Sequence, residues 1–490
     1  MSDQPMASRG VSRPMAEKQM KKKSEQDSDS MEMLRSHHKQ TLWVYWTLII
    51  LGVWLILAPF TFGYGKDTVM PSGGRDLWLT LDQRISLSIW NDVVCGILLI
   101  IFGWRSLQPN RPISLWAACF VGIYISMAPL VFWAPTAVAY YNDTIVGAMV
   151  IALTILIPGM PNMIAYMKKG PQVPPGWSYN PSSWPQRWIM IVTGFLGWIV
   201  SRYLATFQLG YINSVWDPFF GRSSELVLNS SMSHSLPISD AGLGALAYTF
   251  EFLMGWMGSP ARWRTMPWMV TFFGILVIPL GLVHIALVIS QPIVVGHWCT
   301  FCLMAAAIML PMIPLEIDEV FAMFDFLRDA KKRKLNMWRA FWKGGTMEAE
   351  GMDERSPELM ELSKKPGPVL RAAFWGMNLP WTLGLSTCIG IYLMFSPAIF
   401  NLSQWGAHIF HLGGALVVVA SVIAMGEIVR IGRYLNLLIG LALAALPWFL
   451  AGSSTAGNIN GLIAAICVMA LSIPVGKRQE KFGYWERWIK

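Results

Sequence analysis

The chain alternates long apolar stretches with short polar connectors along most of its length. Each apolar stretch carries almost no charge and is long enough to cross a hydrocarbon core of ~30 Å as a helix. The pattern predicts an all-α polytopic membrane protein with about twelve transmembrane helices in a lipid bilayer. The predicted spans are residues 42–63, 87–104, 113–132, 141–160, 187–206, 241–258, 267–290, 299–315, 377–398, 406–427, 435–450 and 458–475.

Lysine and arginine are concentrated in every second connector. The intervening connectors 133–140, 291–298, 399–405 and 451–457 contain neither residue, and two longer ones mix a few basic residues with acids. Because basic residues accumulate in cytoplasmic loops, the alternation predicts an even number of helices with both termini in the cytoplasm. The basic connectors contain Arg105, Arg111, Lys168, Lys169, Arg262, Arg264, residues 331–334, Arg430, Arg433, Lys477, Arg478, Lys481 and Arg487.

Composition and charge agree with a membrane protein. Hydrophobic residues make up 54% of the chain and charged residues 14%, and the mean hydropathy is +0.44. The net charge of +9 would suggest nucleic acid in a soluble protein, but here the basic residues report orientation, so no nucleic-acid partner is predicted. Residues 1–40 are polar and lack an apolar signal segment, which predicts a disordered cytoplasmic tail.

Two polar connectors divide the chain into three membrane blocks. One is rich in proline and glycine and the other is charged, as in "FLRDAKKRKLNMWRAFWKGG". The predicted layout is a tail at 1–40, a repeat pair of four helices at 41–162, a linker at 163–186, a four-helix bundle at 187–315, a cytoplasmic connector at 316–372, a second repeat pair of four helices at 373–476 and a cytoplasmic tail at 477–490.

The outer blocks contain an internal repeat. A helix ends in a small residue, a proline and an aromatic residue, and the next helix opens with a polar residue followed by glycine. The endings are "WLILAPFTFGY" (54–64), "ISMAPLVFW" (125–133), "LMFSPAIF" (393–400) and "ALAALPWFLAG" (442–452). This pattern resembles the SPW repeat, a two-helix membrane module, present twice on each side of the middle block. The resemblance implies no known chemistry.

The repeats bring two kinds of ionisable residue. Asp92 and Asp143 occupy corresponding places where the returning helices begin. They could form a proton path, but capping of those helices by the Asn-Asp pairs is the favoured interpretation. His408 and His411 lie one helical turn apart and could bind a metal; no third ligand is nearby, so a packing or interface role is favoured and no metal site is predicted.

The middle block contains the segment "GHWCTFC", in which Cys299 and Cys302 are three positions apart at the start of an apolar run. A helix N-terminus there stabilises a thiolate on the first cysteine, which we expect to be the more exposed one. The predicted topology places the pair on the outer face, where disulfides persist.

Other uses of the pair lack supporting residues. A zinc site would have only His297 nearby, and attachment of c-type haem would require histidine where Leu303 stands. A thioredoxin-like site would require a strand, which this segment lacks. A structural disulfide or simple packing stays open. Cys95, Cys119, Cys388 and Cys467 lie singly inside predicted spans and are assigned no role.

The middle block is similar to the vitamin K epoxide reductase (VKOR) family. The segments that carry the resemblance are "GWIVSRYL" (197–204), "VLNSSMSHSLPISDAGLGALAY" (227–248) and "CTFCL" (299–303). The resemblance implies a membrane four-helix bundle that couples disulfide formation to the reduction of a quinone of the ubiquinone or menaquinone type. It also implies that Cys302 faces the quinone, that Cys299 exchanges disulfides with an extracytoplasmic thiol-disulfide protein, and that Ser230 and Ser233 lie in the quinone-binding loop.

One departure from the family concerns the outer loop, residues 208–244. Family members commonly carry a second cysteine pair there, whereas this loop has no cysteine. Trp216, Asp217, Ser223 and Ser224 occupy those places. Either a thiol protein meets Cys299 directly, or the relay is lost.

Polar residues inside the middle block are further candidates. Glu251 and His284 lie in predicted spans without obvious partners. His284 could relay protons to a quinol, but a hydrogen-bonded structural histidine is the favoured interpretation. Trp198, Tyr203 and Tyr248 could line an apolar quinone pocket or be ordinary core residues.

The sequence thus predicts a membrane thiol–quinone oxidoreductase in the plasma (inner) membrane of a bacterial-type cell, with Cys299 and Cys302 as its reactive pair. Two alternatives stay open. One is a non-enzymatic scaffold or binding protein with a structural disulfide. The other is a transporter of small solutes or ions that uses the helices carrying Asp92 and Asp143.

Overall fold

Long helices provide nearly all the regular structure in the computed structural model, which describes residues 28, 31–109, 111–155, 157, 160–166, 169–348, 353–357 and 361–489. The long helices are α1 (Leu42–Phe62), α2 (Leu81–Ser106), α3 (Pro112–Val131), α4 (Ala137–Thr154), α5 (Trp184–Gln208), α6 (Asp240–Trp256), α7 (Pro267–Val294), α8 (Thr300–Lys332), α9 (Trp381–Ile399), α10 (Gln404–Ile423), α11 (Glu427–Trp448) and α12 (Thr455–Ser472). Shorter helical segments are Ser72–Gly74, Met160–Tyr166, Ser223–Leu228, Ser233–Ser235, Arg262–Thr265, Met337–Lys343, Pro366–Ala372 and Gly483–Arg487.

These helices confirm an all-α polytopic membrane protein. In the described part of the chain, eleven helices are long and apolar enough to cross a membrane. The remaining long helix, α6, has 17 residues and a length of ~25 Å at 1.5 Å per residue. Regular strands are absent from the described residues, where β pairing is limited to two isolated bridges. Of the predicted tail, residues 1–27, 29 and 30 lie outside the described residues, whereas 31–40 are helical rather than disordered.

Glycines set the crossing of the helices in both outer blocks. A Cβ atom added to Gly96 of α2 would lie 2.5 Å from the carbonyl oxygen of Gly52 in α1, and one added to Gly414 of α10 would lie 2.5 Å from that of Gly390 in α9. Small residues at such crossings let two helix backbones approach closely. The same contact therefore recurs in the first and last blocks, in the same register, as an internal repeat requires.

Helices α5 to α8 form the middle four-helix bundle, and Tyr248 of α6 lies at its centre. The Tyr248 hydroxyl donates to the carbonyl oxygen of Ala305 in α8 at 2.9 Å, and its ring lies 6.1 Å from that of His284 in α7. A Cβ atom on Gly197 of α5 would collide with the tyrosine ring. One side chain thus contacts all the other helices of the bundle.

The last helix of the bundle is longer than the sequence predicts. It runs for 33 residues, about 50 Å, and continues well past residue 315 into the predicted cytoplasmic connector. The end of the bundle at Cys299 is called the dithiol end below. At the opposite end, Arg262 is buried and forms an ion pair with Glu319 at 2.5 Å, which anchors the extended part of α8 to the turn after α6.

Both outer blocks contact the middle block at the dithiol end. From the first block, Arg75 donates to the carbonyl oxygen of Ser233 at 2.9 Å, and the Trp133 indole donates to that of Pro237 at 2.9 Å. From the last block, His411 of α10 hydrogen-bonds the carbonyl oxygen of Ile289 at 2.8 Å. The three blocks therefore meet around the loop that precedes α6 and the residues that precede α8.

Candidate functional site

Cys299 and Cys302 form a disulfide at the first turn of α8. Their Cα atoms are 5.2 Å apart, within the usual range for a disulfide. Cys299 is the N-cap residue, and its sulfur accepts a hydrogen bond from the Cys302 amide at 3.2 Å. The predicted location of the pair at a helix N-terminus is confirmed, and the helix dipole there favours a thiolate when the bond is reduced.

The exposure of the two sulfurs is the reverse of the sequence expectation. Cys299 is completely buried, with 0% of its surface exposed, whereas Cys302 is only half-buried. The expectation that Cys299 is the more exposed cysteine is therefore wrong. Its burial follows from the outer loop, which contacts both residues that flank it: Phe220 stacks on Trp298 with ring centroids 6.1 Å apart, and Asp217 binds Thr300.

The loop segment 216–224, called the cap below, is held on α8 by one carboxylate. Asp217 accepts hydrogen bonds from the Thr300 hydroxyl at 2.5 Å and from the Ser224 hydroxyl at 2.6 Å. It also accepts from the backbone amides of Phe219, Phe220 and Ser224. The Ser224 oxygen in turn accepts from the Thr300 amide at 3.2 Å. Asp217 and Ser224 thus fasten the loop beside Cys299 without a covalent bond.

The environment of Asp217 keeps its side chain charged. Burial raises the pKa of this carboxyl, but the hydrogen bonds from Ser224, Thr300 and two backbone amides lower it more, so the net pKa lies below the ordinary value. Hydrogen bonds to the ionised form are the usual cause of such a shift. The charged carboxylate is therefore the form that holds the cap at neutral pH.

The two serines predicted to line a quinone site have other partners. Ser233 is buried; its hydroxyl donates to Asp240 at 3.0 Å and accepts from Gln208 at 2.8 Å. The Ser230 hydroxyl donates to the carbonyl oxygen of Val227 at 2.7 Å. None of these contacts reaches the disulfide, and a role for either serine in binding quinone stays a prediction. Ser224, in the same loop, accepts a hydrogen bond from the Thr300 amide of α8 at 3.2 Å.

A carboxyl group lies in the core of the bundle, farther from the dithiol end than the disulfide. Glu251 of α6 is 0% exposed, and neither of its carboxyl oxygens has a hydrogen-bond partner. It lies three residues after Tyr248, so the two side chains share the face of α6 that points into the bundle. His284 contacts the same tyrosine. The sequence places Glu251 and His284 inside apolar spans. Only the structure shows that the oxygens of Glu251 have no hydrogen-bond partner.

The last block contacts the disulfide region through His411. The His411 ring packs edge-on against Trp298, the residue before Cys299, with centroids 4.8 Å apart. His408 packs against Trp405 at 5.8 Å. His411 therefore takes part in the contact between the last block and the middle block, and the packing or interface role favoured for the two histidines stays a prediction. Among the described residues, no group of three or more His, Cys, Asp or Glu side chains is placed to hold a metal ion.

The acids of the first block do not cap helices. The N-cap residues of α2 and α4 are Thr80 and Thr136, and Asp92 and Asp143 lie inside those helices, almost completely buried. The capping interpretation is wrong because the helices begin several residues earlier than the Asn-Asp pairs suggest. Both carboxyls instead project toward each other between the helices.

Two amides and a phenol join the carboxyls of Asp92 and Asp143. The Asn91 amide lies 3.2 Å from Asp92 and 3.5 Å from Asp143, and the Asn142 amide lies 3.5 Å and 3.4 Å from the same two groups. Tyr64 donates its hydroxyl to Asp92 at 2.7 Å. The Asn-Asp pairs of the two repeats therefore form a single buried polar cluster.

Comparisons with known proteins match two segments of the chain. Residues 188–317 match the model of the Vitamin K epoxide reductase family, and residues 76–156 match that of the SPW repeat domain. No curated protein and no solved structure matches the chain significantly. The first segment contains most of α5, all of α6 and α7, and the disulfide, and the second contains α2 to α4. These matches confirm the predicted combination of a VKOR-family domain with an SPW repeat, which lies in the first block. The second repeat pair, at 373–476, stays a prediction.

Proposed function

We propose that this membrane protein, which carries a VKOR-family domain, is a thiol–quinone oxidoreductase whose reactive group is the Cys299–Cys302 disulfide. The single observation that carries the proposal is the position of the disulfide at the N-terminus of α8 within that domain. At family level the domain supports thiol–quinone chemistry in a membrane. The choice of these two cysteines, the partner and the type of quinone belong to the proposal.

The thiol half-reaction is a disulfide exchange. A partner thiolate attacks one sulfur of the Cys299–Cys302 bond, and the other sulfur leaves as a thiolate. A second thiol of the partner then breaks the mixed disulfide, so the partner is oxidised by two electrons and the Cys299–Cys302 pair is reduced. The helix N-terminus stabilises the thiolate that forms. In the capped structure only Cys302 is open to attack, and a partner that attacks Cys299 must first displace the cap.

The second half-reaction returns the pair to the disulfide. As the S–S bond re-forms, two electrons leave the sulfurs for a quinone, which when bound accepts two electrons and two protons. The groups near Cys302 fit such a ligand. Cys302 is half-buried, the adjacent Phe301 packs against Tyr203 with centroids 5.1 Å apart, and Glu251 has oxygens without partners. Aromatic walls with one or two free polar groups are typical of apolar cofactor pockets.

The finer parts of the proposal rest on charge and topology. The alternation of basic connectors supports cytoplasmic termini and a dithiol on the outer face of the plasma (inner) membrane of a bacterial-type cell. On that face an extracytoplasmic thiol-disulfide protein is the partner, and the quinone is of the ubiquinone or menaquinone type. The absence of loop cysteines in the sequence means that this partner exchanges with the α8 pair directly.

Turnover of the purified protein tests the proposal. With a dithiol donor and a short-chain quinone analogue, the wild type forms quinol at a rate proportional to protein concentration. Cys302→Ser abolishes quinol formation, whereas Cys388→Ser, which changes an exposed free cysteine, leaves the rate unchanged. Equal quinol formation by Cys302→Ser and wild type would contradict the proposal and favour a structural disulfide in a scaffold protein.

A further inference from the structure

The carboxyl of Glu251 is the most isolated acid in the described part of the chain. Other buried carboxyls there have at least one partnered or accessible oxygen, but both oxygens of Glu251 are buried and without partners. Burying an ionised carboxyl without a partner is strongly unfavourable, so such a site holds the neutral acid. A neutral acid has a proton to donate, and ionisable groups inside membrane bundles are functional candidates.

Among the described residues, neither carboxyl oxygen of Glu251 has a partner that would explain it as a structural residue. Arg262 follows Glu251 along the chain and lies at the opposite end of the bundle. Its guanidinium forms an ion pair with Glu319 at 2.5 Å and donates to the carbonyl oxygen of Met254 at 2.7 Å. The Tyr248 hydroxyl donates to Ala305 at 2.9 Å. Glu251 therefore neither neutralises a charge nor completes a hydrogen-bond network. An apolar residue at this position would avoid the cost of burying a carboxyl group.

The position of Glu251 relates it to the disulfide. Ala305, which accepts the Tyr248 hydroxyl, lies three residues after Cys302 on α8, and Glu251 lies three residues after Tyr248 on α6. Each interval is about one helical turn, ~5 Å. The carboxyl thus lies within about two turns of the Cys302 sulfur along the bundle, on the face of α6 that points into it.

We propose that Glu251 is the proton donor of the quinone half-reaction. The inference rests on the function proposed above. When one sulfur of the reduced pair is a thiolate, re-forming the S–S bond releases two electrons and only one proton. The quinol that leaves the site carries two protons, so a second must come from elsewhere. Glu251 supplies it to a quinone oxygen and becomes a carboxylate.

The carboxylate then regains a proton from water at the opposite end of the bundle. Glu316 of α8 lies toward that end, buried, with one carboxyl oxygen lacking a partner. Glu316 is the first acidic residue of α8 after Ala305, which the Tyr248 hydroxyl contacts. In this proposal the electrons come from the dithiol end and the replacement proton comes from the opposite end of the bundle.

Separating the two half-reactions tests this role on the full-length protein. In Glu251→Gln we expect transfer from the reduced pair to a short-chain quinone analogue to slow by roughly 10²- to 10⁴-fold, the usual effect of losing a general acid. Reduction of the disulfide by dithiothreitol should stay at the wild-type rate, which also shows that the variant is folded. Glu251→Asp, which keeps a carboxyl, should recover part of the loss. Glu354→Gln, at an exposed position, is the matched control.

An infrared measurement supplies a readout that needs no quinone. The oxidised protein should show a neutral carboxyl band that disappears in Glu251→Gln and persists in Glu354→Gln. Wild-type quinone transfer by Glu251→Gln, or the absence of this band, would overturn the inference and leave the proposed function standing. Quinol formation by Cys302→Ser would instead overturn the proposed function itself.

Discussion

The Asp217 carboxylate accepts a hydrogen bond from the Thr300 hydroxyl at 2.5 Å, joining the outer loop to the residue that follows Cys299. Through this bond and its bonds to Ser224, one side chain closes the loop over a sulfur that is 0% exposed. A hydrogen bond of this kind can open without breaking a covalent bond. Access of thiols to Cys299 is therefore set by the stability of the cap.

Removing the charge of Asp217 should loosen the cap. In Asp217→Asn the amide accepts fewer hydrogen bonds and carries no charge, and charged hydrogen bonds contribute ~1.5–3 kcal/mol. In a Cys302→Ser background, where Cys299 is a free thiol, we expect Asp217→Asn to make alkylation of Cys299 roughly 10-fold faster. The measurement is the rate at which a water-soluble reagent labels Cys299. In the same background Asp67→Asn, which changes an exposed loop aspartate, should react at the parent rate, and equal rates for all three proteins would show that the cap does not control access.

Acid should open the cap in the same way. Because the folded pKa of Asp217 lies below its ordinary value of 3.8, its ionisation stabilises the cap fully above that ordinary value. The contribution is lost as the pH falls through the folded pKa. Labelling of Cys299 in the Cys302→Ser background by a pyridyl disulfide, which reacts at acidic pH, should therefore accelerate only below about the ordinary pKa. The acceleration should be absent in Asp217→Asn, and an identical acid response in both proteins would point to another group.

A cysteine at position 224 should cross-link to the α8 pair. The Ser224 oxygen accepts a hydrogen bond from the Thr300 amide at 3.2 Å, which places the side chain beside the residue after Cys299. We expect the double variant Ser224→Cys with Cys302→Ser to form a disulfide between position 224 and Cys299, visible by peptide mapping. Ser223→Cys in the same background is the control, because within the described residues the Ser223 backbone amide bonds Phe220 and Ser223 makes no hydrogen bond to α8. Equal cross-linking from both positions would mean that the loop is not fixed on α8.

The buried acids of the first block should be separable from the thiol chemistry. Gly96 of the first block and Gly414 of the last block occupy equivalent places at the helix crossings. Asp92 precedes Gly96 by the same interval as Phe410 precedes Gly414, so Phe410 corresponds to Asp92. A Cβ atom on Gly461 would collide with the Phe410 ring, so an apolar contact fills the corresponding space. The module therefore folds without acids, and Asp92→Asn should fold and keep wild-type quinol formation. Loss of a solute or proton flux in vesicles of Asp92→Asn, with quinol formation intact, would favour the transporter alternative for this block.

Local patterns of the sequence account for much of the architecture. Apolar spans predict the helices, and the position of Cys299 before an apolar run predicts the helix N-terminus that the structure confirms. The burial of Cys299 was not predictable in this way, because it depends on where residues 216–224 of a distant loop come to rest. The Asn-Asp pairs were misread for a related reason. Capping is a local argument, whereas the hydrogen bonds that join Asp92 and Asp143 through the two asparagines arise only when the helices of the first block assemble.

The central claim is that the Cys299–Cys302 pair exchanges electrons with a quinone. The most direct measurement is a single turnover: the protein is fully reduced, excess reductant is removed, a short-chain quinone analogue is added without oxygen, and the free thiols are mapped by alkylation. The account predicts that Cys299 and Cys302 together lose their alkylation as one equivalent of quinol appears. Persistence of both thiols in the presence of the quinone would contradict it.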